Sequence, residues 1–168
     1  GLGSDCFALV WIEREKKLYG LNASGTAPAA LDGEMVRAMG FSEMPKAGWI
    51  PTMVPGAPAG WAELNRRFGS KPLAELFAPA IAGAREGVPV AVNLEPMWVE
   101  DSWRIKAAME QNPAPHAYWW SRFTKNGAPY QAGDLFRWEE YAQTLEELAD
   151  TGCESYYRGG IMEKIVAF

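Results

Sequence analysis

The first strong signal along the chain is a continuous apolar run from Cys6 to Ile12. Its length and its β-branched and aromatic residues predict a strand covered on both faces. Glu13-Arg14-Glu15-Lys16-Lys17 reads as a solvated turn, and Leu18-Tyr19-Gly20-Leu21-Asn22 as the returning strand of a hairpin. A polar loop of small residues follows, Asn22-Ala23-Ser24-Gly25-Thr26-Ala27-Pro28. From there the spacing turns helical. Met35, Val36 and Met39 mark a short helix closed by Gly40, and Phe41 to Pro51 reads as irregular. Trp61, Leu64 and Phe68 share one face of the next helix, which stops at Gly69. Pro72 suits the first turn of another, in which Leu73, Leu76, Phe77, Ala80, Ile81 and Ala84 keep helical spacing up to Gly87. Pro79 lies inside that pattern and predicts a kink. Trp98, Ile105 and Met109 predict a helix over 96–110. Asn126-Gly127 predicts a tight hairpin between Phe123-Thr124 and Pro129-Tyr130. Tyr141, Leu145, Leu148 and Ala149 form a further helix face capped by Gly152, and Ile161, Ile165 and Val166 begin a last helix running to Phe168.

The resulting class is α+β, a mostly helical segment with an N-terminal β-hairpin. With 168 residues the chain suits one packed domain. The expected organisation is a single segment, with the hairpin and polar loop over 1–30 and a mainly helical portion over 31–168. A small hairpin near 123–130 interrupts the helices. The Cys6–Ile12 strand is too apolar for a solvent edge, and few other strands can pair with it. Its neighbours are therefore expected in sequence outside this chain, which opens at Gly1 rather than at Met.

Composition narrows the chemistry. The net charge of −5, from 16 basic and 21 acidic residues, opposes binding of a phosphate backbone, so no nucleic-acid partner is expected. No apolar run reaches the roughly 18 residues of a membrane helix. No targeting segment is evident, which leaves periplasmic and cytoplasmic locations open. Cys6 and Cys153, at opposite ends, make neither a disulfide framework nor a zinc site and read as free buried thiols. The single histidine, His116, excludes metal sites and triads built on several histidines within this chain. It sits in the proline-rich loop Pro113-Ala114-Pro115-His116 without an evident nucleophile or orienting group. Glu139-Glu140 and Glu146-Glu147 read as a solvated helix face rather than a catalytic carboxylate pair. The 8 tryptophans stand out, and Tyr118-Trp119-Trp120 with Phe123 suits either a stacking platform or the filling of a core or interface. Gly1-Leu2-Gly3-Ser4-Asp5 reads as a tight turn, because phosphate loops lead into helices and this one leads into a strand. Asn22-Ala23-Ser24 also matches a glycosylation acceptor, a pattern short enough to be common by chance.

The order of short motifs says more than any one of them. Gly1-Leu2-Gly3-Ser4-Asp5-Cys6-Phe7 heads the first strand, and Asn22-Ala23-Ser24-Gly25-Thr26-Ala27-Pro28-Ala29 follows the hairpin. Then come Val54-Pro55-Gly56-Ala57 with Gly60-Trp61, Arg67-Phe68-Gly69, and Pro72-Leu73-Ala74-Glu75-Leu76. Ala78-Pro79-Ala80-Ile81, Ala84-Arg85-Glu86-Gly87-Val88-Pro89-Val90 and Tyr156-Tyr157-Arg158-Gly159 complete the series. In this order they resemble the large subunit of a gamma-glutamyltranspeptidase over nearly the whole chain, least between Asn93 and Tyr130.

The resemblance implies the four-layer αββα sandwich of N-terminal-nucleophile hydrolases. It implies a precursor that cuts itself into large and small subunits, the freed N-terminal threonine of the small subunit being the nucleophile. That threonine would attack a γ-glutamyl amide such as glutathione and pass the acyl group to water or an amine. No catalytic residue is assigned within this chain, which would be an internal piece of the large subunit and inactive alone. The implied partners are the rest of that subunit, the small subunit and a small γ-glutamyl or acyl-amide substrate, with no metal or organic cofactor. Asn22, Ser24 and Thr26 are the implied substrate-binding residues. One departure matters. In the family, an arginine shortly before Ala-Pro grips the substrate α-carboxylate, and the two positions where it occurs fall on Ser24 and Thr26. Neither carries its charge, which weakens glutathione as the expected substrate. The contrasting expectation is a non-catalytic helical interaction domain with an aromatic binding surface.

Overall fold

The computed structural model describes residues 1–45 and 48–167. Strand β1 (Cys6–Ile12) pairs antiparallel with β2 (Lys17–Ala23), in a register that sets Cys6 opposite Ala23 and Ile12 opposite Lys17. A short 3₁₀ turn, Glu13–Glu15, joins them and closes at Lys16 with φ 50°. Side chains alternate along β1 with period two. Cys6, Ala8, Val10 and Ile12 are half-buried on one face. Phe7, Leu9 and Trp11 point the other way and are 66%, 77% and 53% exposed. Burial of this strand on both faces, expected from its composition, is thus met on one face among the described residues.

The chain divides into two compact units, residues 1–76 with 147–168, and residues 77–146. In the first, the covered face of the hairpin packs on α2 (Ala57–Phe68), where the Tyr19 and Phe68 rings lie 5.2 Å apart. Gly60 permits this approach: a Cβ there would stand 3.0 Å from the Cβ atoms of both Ala23 and Cys6. Helix α1 (Gly33–Ala38) is capped by Asp32, whose carboxylate accepts the Met35 amide at 2.8 Å, and Gly40 turns the chain away at φ 90°. Helix α3 (Leu73–Glu86) begins in this unit, and α6 (Glu139–Asp150) ends in it. After α6, Gly152 and Cys153 take positive φ and lead into α7 (Ser155–Arg158) and α8 (Gly160–Ala167). Val36, Ala57, Leu148, Cys153, Tyr156 and Ile161 are buried here.

The second unit holds most of α3, then β3 (Val88–Pro89), α4 (Glu95–Gln111), α5 (Ala117–Phe123), β4 (Thr124–Lys125), β5 (Ala128–Pro129), β6 (Leu135–Phe136) and the start of α6. Asn126 and Gly127, at φ 54° and 78°, make the two-residue turn between β4 and β5. β3 pairs with β6. The core is aromatic. Trp98 meets Phe136 and Tyr130 at 5.0 and 5.3 Å, and Phe123 meets Phe136 and Trp138 at 5.7 and 5.1 Å. The Trp98 indole donates to the Phe123 carbonyl at 2.8 Å, so the half-buried ring is fixed in orientation as well as packed.

Helix α3 continues through Pro79 from Leu73 to Glu86. Residues 41–45 and 48–51 hold no helix or strand. Lys46 and Ala47, within the stretch read as irregular, and Phe168, at the end of the last helix, lie outside the described residues.

Candidate functional site

The loop after β2 is built backbone against backbone. The Asn22 Oδ1 accepts the Ser24 amide at 3.0 Å, an Asx turn that redirects the chain as it leaves the strand. Gly25 follows at φ 79°, and a Cβ there would lie 1.9 Å from the Val54 carbonyl oxygen. The Val54 amide donates to the Thr26 carbonyl at 2.9 Å. Two residues on, a Cβ at Gly56 would lie 2.1 Å from the Ala23 oxygen and 2.6 Å from the Gly25 nitrogen. Glycine at 25 and at 56 is therefore what lets residues 23–26 rest on residues 54–56.

Helix α2 starts directly beyond this contact. Its first amides have no intrahelical acceptor, and Gly56 offers no side chain to cap them. The Ala57 amide donates to the Ser4 carbonyl at 2.9 Å, and Pro58 has no amide hydrogen. The Ala59 amide donates to the Tyr157 hydroxyl at 3.0 Å, and that hydroxyl donates to the Pro55 carbonyl at 2.8 Å. The Ser4 amide also closes back on the Gly1 carbonyl at 3.3 Å, so residues 1–4 form a tight turn whose Ser4 carbonyl holds a helix start.

Asn22 and Thr26 are exposed and Ser24 is half-buried. Among the described residues the hydroxyls of Ser24 and Thr26 have no hydrogen-bond partner. Three short neutral side chains therefore stand on one turn at alternate positions, able to donate to a carbonyl or carboxylate. Nothing in the turn supplies a positive charge or a nucleophile activated by a base.

The other candidates are held in structural contacts. Glu146 takes Arg85 in a two-point contact at 2.6 and 2.7 Å, and Glu139 takes the same guanidinium at 3.1 Å. The Arg85 hydrogen bonds hold the Glu146 carboxyl below the usual carboxylate range. The Ser155 hydroxyl donates to Glu147. Burial pushes the Cys153 thiol up, away from the reactive thiolate. His116 is half-buried in a 3₁₀ turn, Ala114–His116. Phe123 of the aromatic run belongs to the core, Trp119 lies 5.2 Å from it, and Tyr118 is 56% exposed. Among the described residues no cluster of three His, Cys, Asp or Glu could hold a metal ion, and no helix is long and apolar enough to cross a membrane.

The sequence pattern assigns no role at the loop to two residues that shape it. Gly56 and Tyr157 stand within family motifs, Val54-Pro55-Gly56-Ala57 and Tyr156-Tyr157-Arg158-Gly159, but the hydrogen-bond partners of Tyr157 lie about 100 positions away, beyond any local pattern.

The described residues, mixed helix and sheet with helix predominating, match part of the solved structures of N-terminal-nucleophile hydrolases of the gamma-glutamyltranspeptidase and acylase type. The solved cephalosporin acylase from Bacillus halodurans superposes with a TM-score of 0.88 and 41% identity over 99% of this chain and 31% of that one. The Helicobacter pylori gamma-glutamyltranspeptidase superposes with a TM-score of 0.78 and 25% identity over 98% of this chain and 46% of that one. The family model described as Gamma-glutamyltranspeptidase matches residues 1–168, and the chain belongs to that family. Glutathione hydrolase proenzyme 1 of Schizosaccharomyces pombe is 31% identical over 100% of this chain, which spans 25% of that protein's length.

Proposed function

We propose that this chain is an internal piece of the large subunit of a self-processing enzyme that cleaves γ-glutamyl or related acyl amides. The supporting observation is the family match across all 168 residues. In this reading the nucleophile is an N-terminal threonine of the small subunit, outside this chain. Its hydroxyl oxygen attacks the amide carbon while its own α-amine takes the hydroxyl proton and hands it to the leaving amine. The resulting acyl ester is then opened by water or by an acceptor amine. Residues 1–30 contribute a hairpin and loop to an αββα sandwich, and 31–168 contribute mainly helices. The bare face of Phe7, Leu9 and Trp11 is covered by the remainder of the protein, since three large apolar side chains at this exposure would otherwise form a sizeable wetted patch.

Asn22, Ser24 and Thr26 bind the acyl donor by neutral hydrogen bonds in this reading. A donor without an α-amino acid head suits them as well as γ-glutamyl does. The 41% identity to a cephalosporin acylase favours such a donor as a second reading. The full-length protein should separate into two polypeptides, the smaller starting at threonine, and should turn over a γ-glutamyl or glutaryl anilide. Intact mass and N-terminal sequencing read the first, and release of the aniline reads the second. A single uncut polypeptide that turns over neither anilide contradicts the proposal.

A further inference from the structure

We propose that Tyr157 is a positioning residue for the Asn22–Thr26 loop, acting through the start of α2. This inference rests on the functional reading above. Most helices meet their unpaired first amides with a Ser, Thr, Asp or Asn at the N-cap. Here the N-cap is Gly56, and it has to stay glycine, because a Cβ would meet the Ala23 oxygen at 2.1 Å. The cap is supplied instead by Tyr157, 98 positions beyond the Ala59 amide that it meets. The Tyr157 hydroxyl accepts the Ala59 amide at 3.0 Å and donates to the Pro55 carbonyl at 2.8 Å, using both of its hydrogen-bonding roles on the two sides of Gly56.

The same short segment carries the loop. Val54, next to Pro55, donates its amide to Thr26 and places its carbonyl under Gly25. Gly56 sits against Ala23 and Gly25. A shift of residues 54–56 therefore moves Ser24 and Thr26, the side chains with unspent hydroxyls. Residues 54–56 meet residues 23–26 backbone to backbone, with no flexible side chain between them to absorb a shift. Tyr157 touches no substrate in this scheme. It fixes the segment on which the loop lies, its phenol hydroxyl donating to the Pro55 carbonyl.

The test is Tyr157→Phe in the full-length protein, which keeps the ring and removes both hydrogen bonds. Hydrogen exchange at the Val54 amide, which is bonded to Thr26, should speed up about tenfold or more, while the β1–β2 amides keep their rate. With active sites titrated, KM for the anilide should rise about five- to thirtyfold with kcat within about twofold, since the loop binds and does not react. The double variant with Ser24→Ala should fall well short of the product of the two single effects. Ile161→Ala, a buried change in the same unit, should lower stability and leave KM alone. An unchanged Val54 exchange rate, or an unchanged KM in Tyr157→Phe, overturns the proposal. An unmodified protein that turns over no amide removes the functional reading and the substrate role with it, and the exchange measurement still decides whether Tyr157 holds the loop.

Discussion

The carbonyl of Ala23 occupies the space that a side chain on Gly56 would need, a Cβ there standing 2.1 Å from the oxygen. Neither partner can yield locally. Ala23 ends a paired strand and faces Cys6 across the ladder, and Gly56 begins a helix. The turn over residues 22–26 is therefore set by backbone contact, which leaves the Ser24 and Thr26 hydroxyls free to meet a ligand.

Gly56→Ala should cost about 1–3 kcal/mol, the usual range for forcing one extra carbon into a packed place. Gly3→Ala is the comparison, because no atom lies within 4 Å of a Cβ at Gly3. It should stay within about 0.5 kcal/mol of the parent. Denaturant midpoints of the full-length protein measure both.

In the second unit the aromatic core makes a graded prediction. Trp98→Ala removes a ring that touches Phe136 at 5.0 Å and Tyr130 at 5.3 Å, and should cost about 3–5 kcal/mol. Trp98→Phe keeps much of that packing and gives up the hydrogen bond to the Phe123 carbonyl. It should fall between parent and Ala, with a loss of at least about 1 kcal/mol from the unpaired carbonyl. Equal losses for the two substitutions would show that the hydrogen bond, and not ring packing, holds this core.

Arg85 gives stability a pH dependence of known sign. Its hydrogen bonds depress the Glu146 carboxyl below its ordinary 4.5. A group whose folded value is depressed adds stability that is fully present above the unfolded value and fades as pH falls through the folded one. Between about pH 5 and pH 3 the parent should therefore lose stability more steeply than Glu146→Gln. The difference is small, because the pair is solvent-exposed and screened. Parallel pH profiles would contradict the assignment.

Legibility from sequence follows the range of the interactions. β1 was marked by a contiguous apolar run, α2 by Trp61, Leu64 and Phe68 ending at Gly69, and the second hairpin by Asn126-Gly127. Each is a local pattern with a local cause. Helix α5 shows in the sequence only as an aromatic cluster, because the seven residues of Ala117–Phe123 carry too little polar contrast to show a period. The β3–β6 pair is two residues on each side and leaves no alternation to detect. Two-faced burial of β1 was expected from composition, and in this chain one face is bare. Asn22, Ser24 and Thr26 were found through the order of family motifs. What holds their loop, Gly56 beneath it and Tyr157 from the far end of the chain, is long-range packing that no window of sequence contains.

Arginine at either loop position should change substrate choice. A charged hydrogen bond to a carboxylate contributes about 1.5–3 kcal/mol, or about tenfold to a hundredfold in relative kcat/KM. Ser24→Arg or Thr26→Arg in the full-length enzyme should shift preference toward a γ-glutamyl donor over a glutaryl donor by about that factor. Competition between the two anilides reads the shift, and unchanged ratios in both variants would place the carboxylate contact elsewhere.

The most direct test compares kcat/KM for the γ-glutamyl and glutaryl anilides on the unmodified, self-processed, full-length protein. Neutral hydroxyls at 24 and 26 distinguish the two donors weakly, so the account predicts turnover of both with a ratio under about tenfold. Failure to turn over either donor, or a γ-glutamyl preference of about a hundredfold or more, would contradict it.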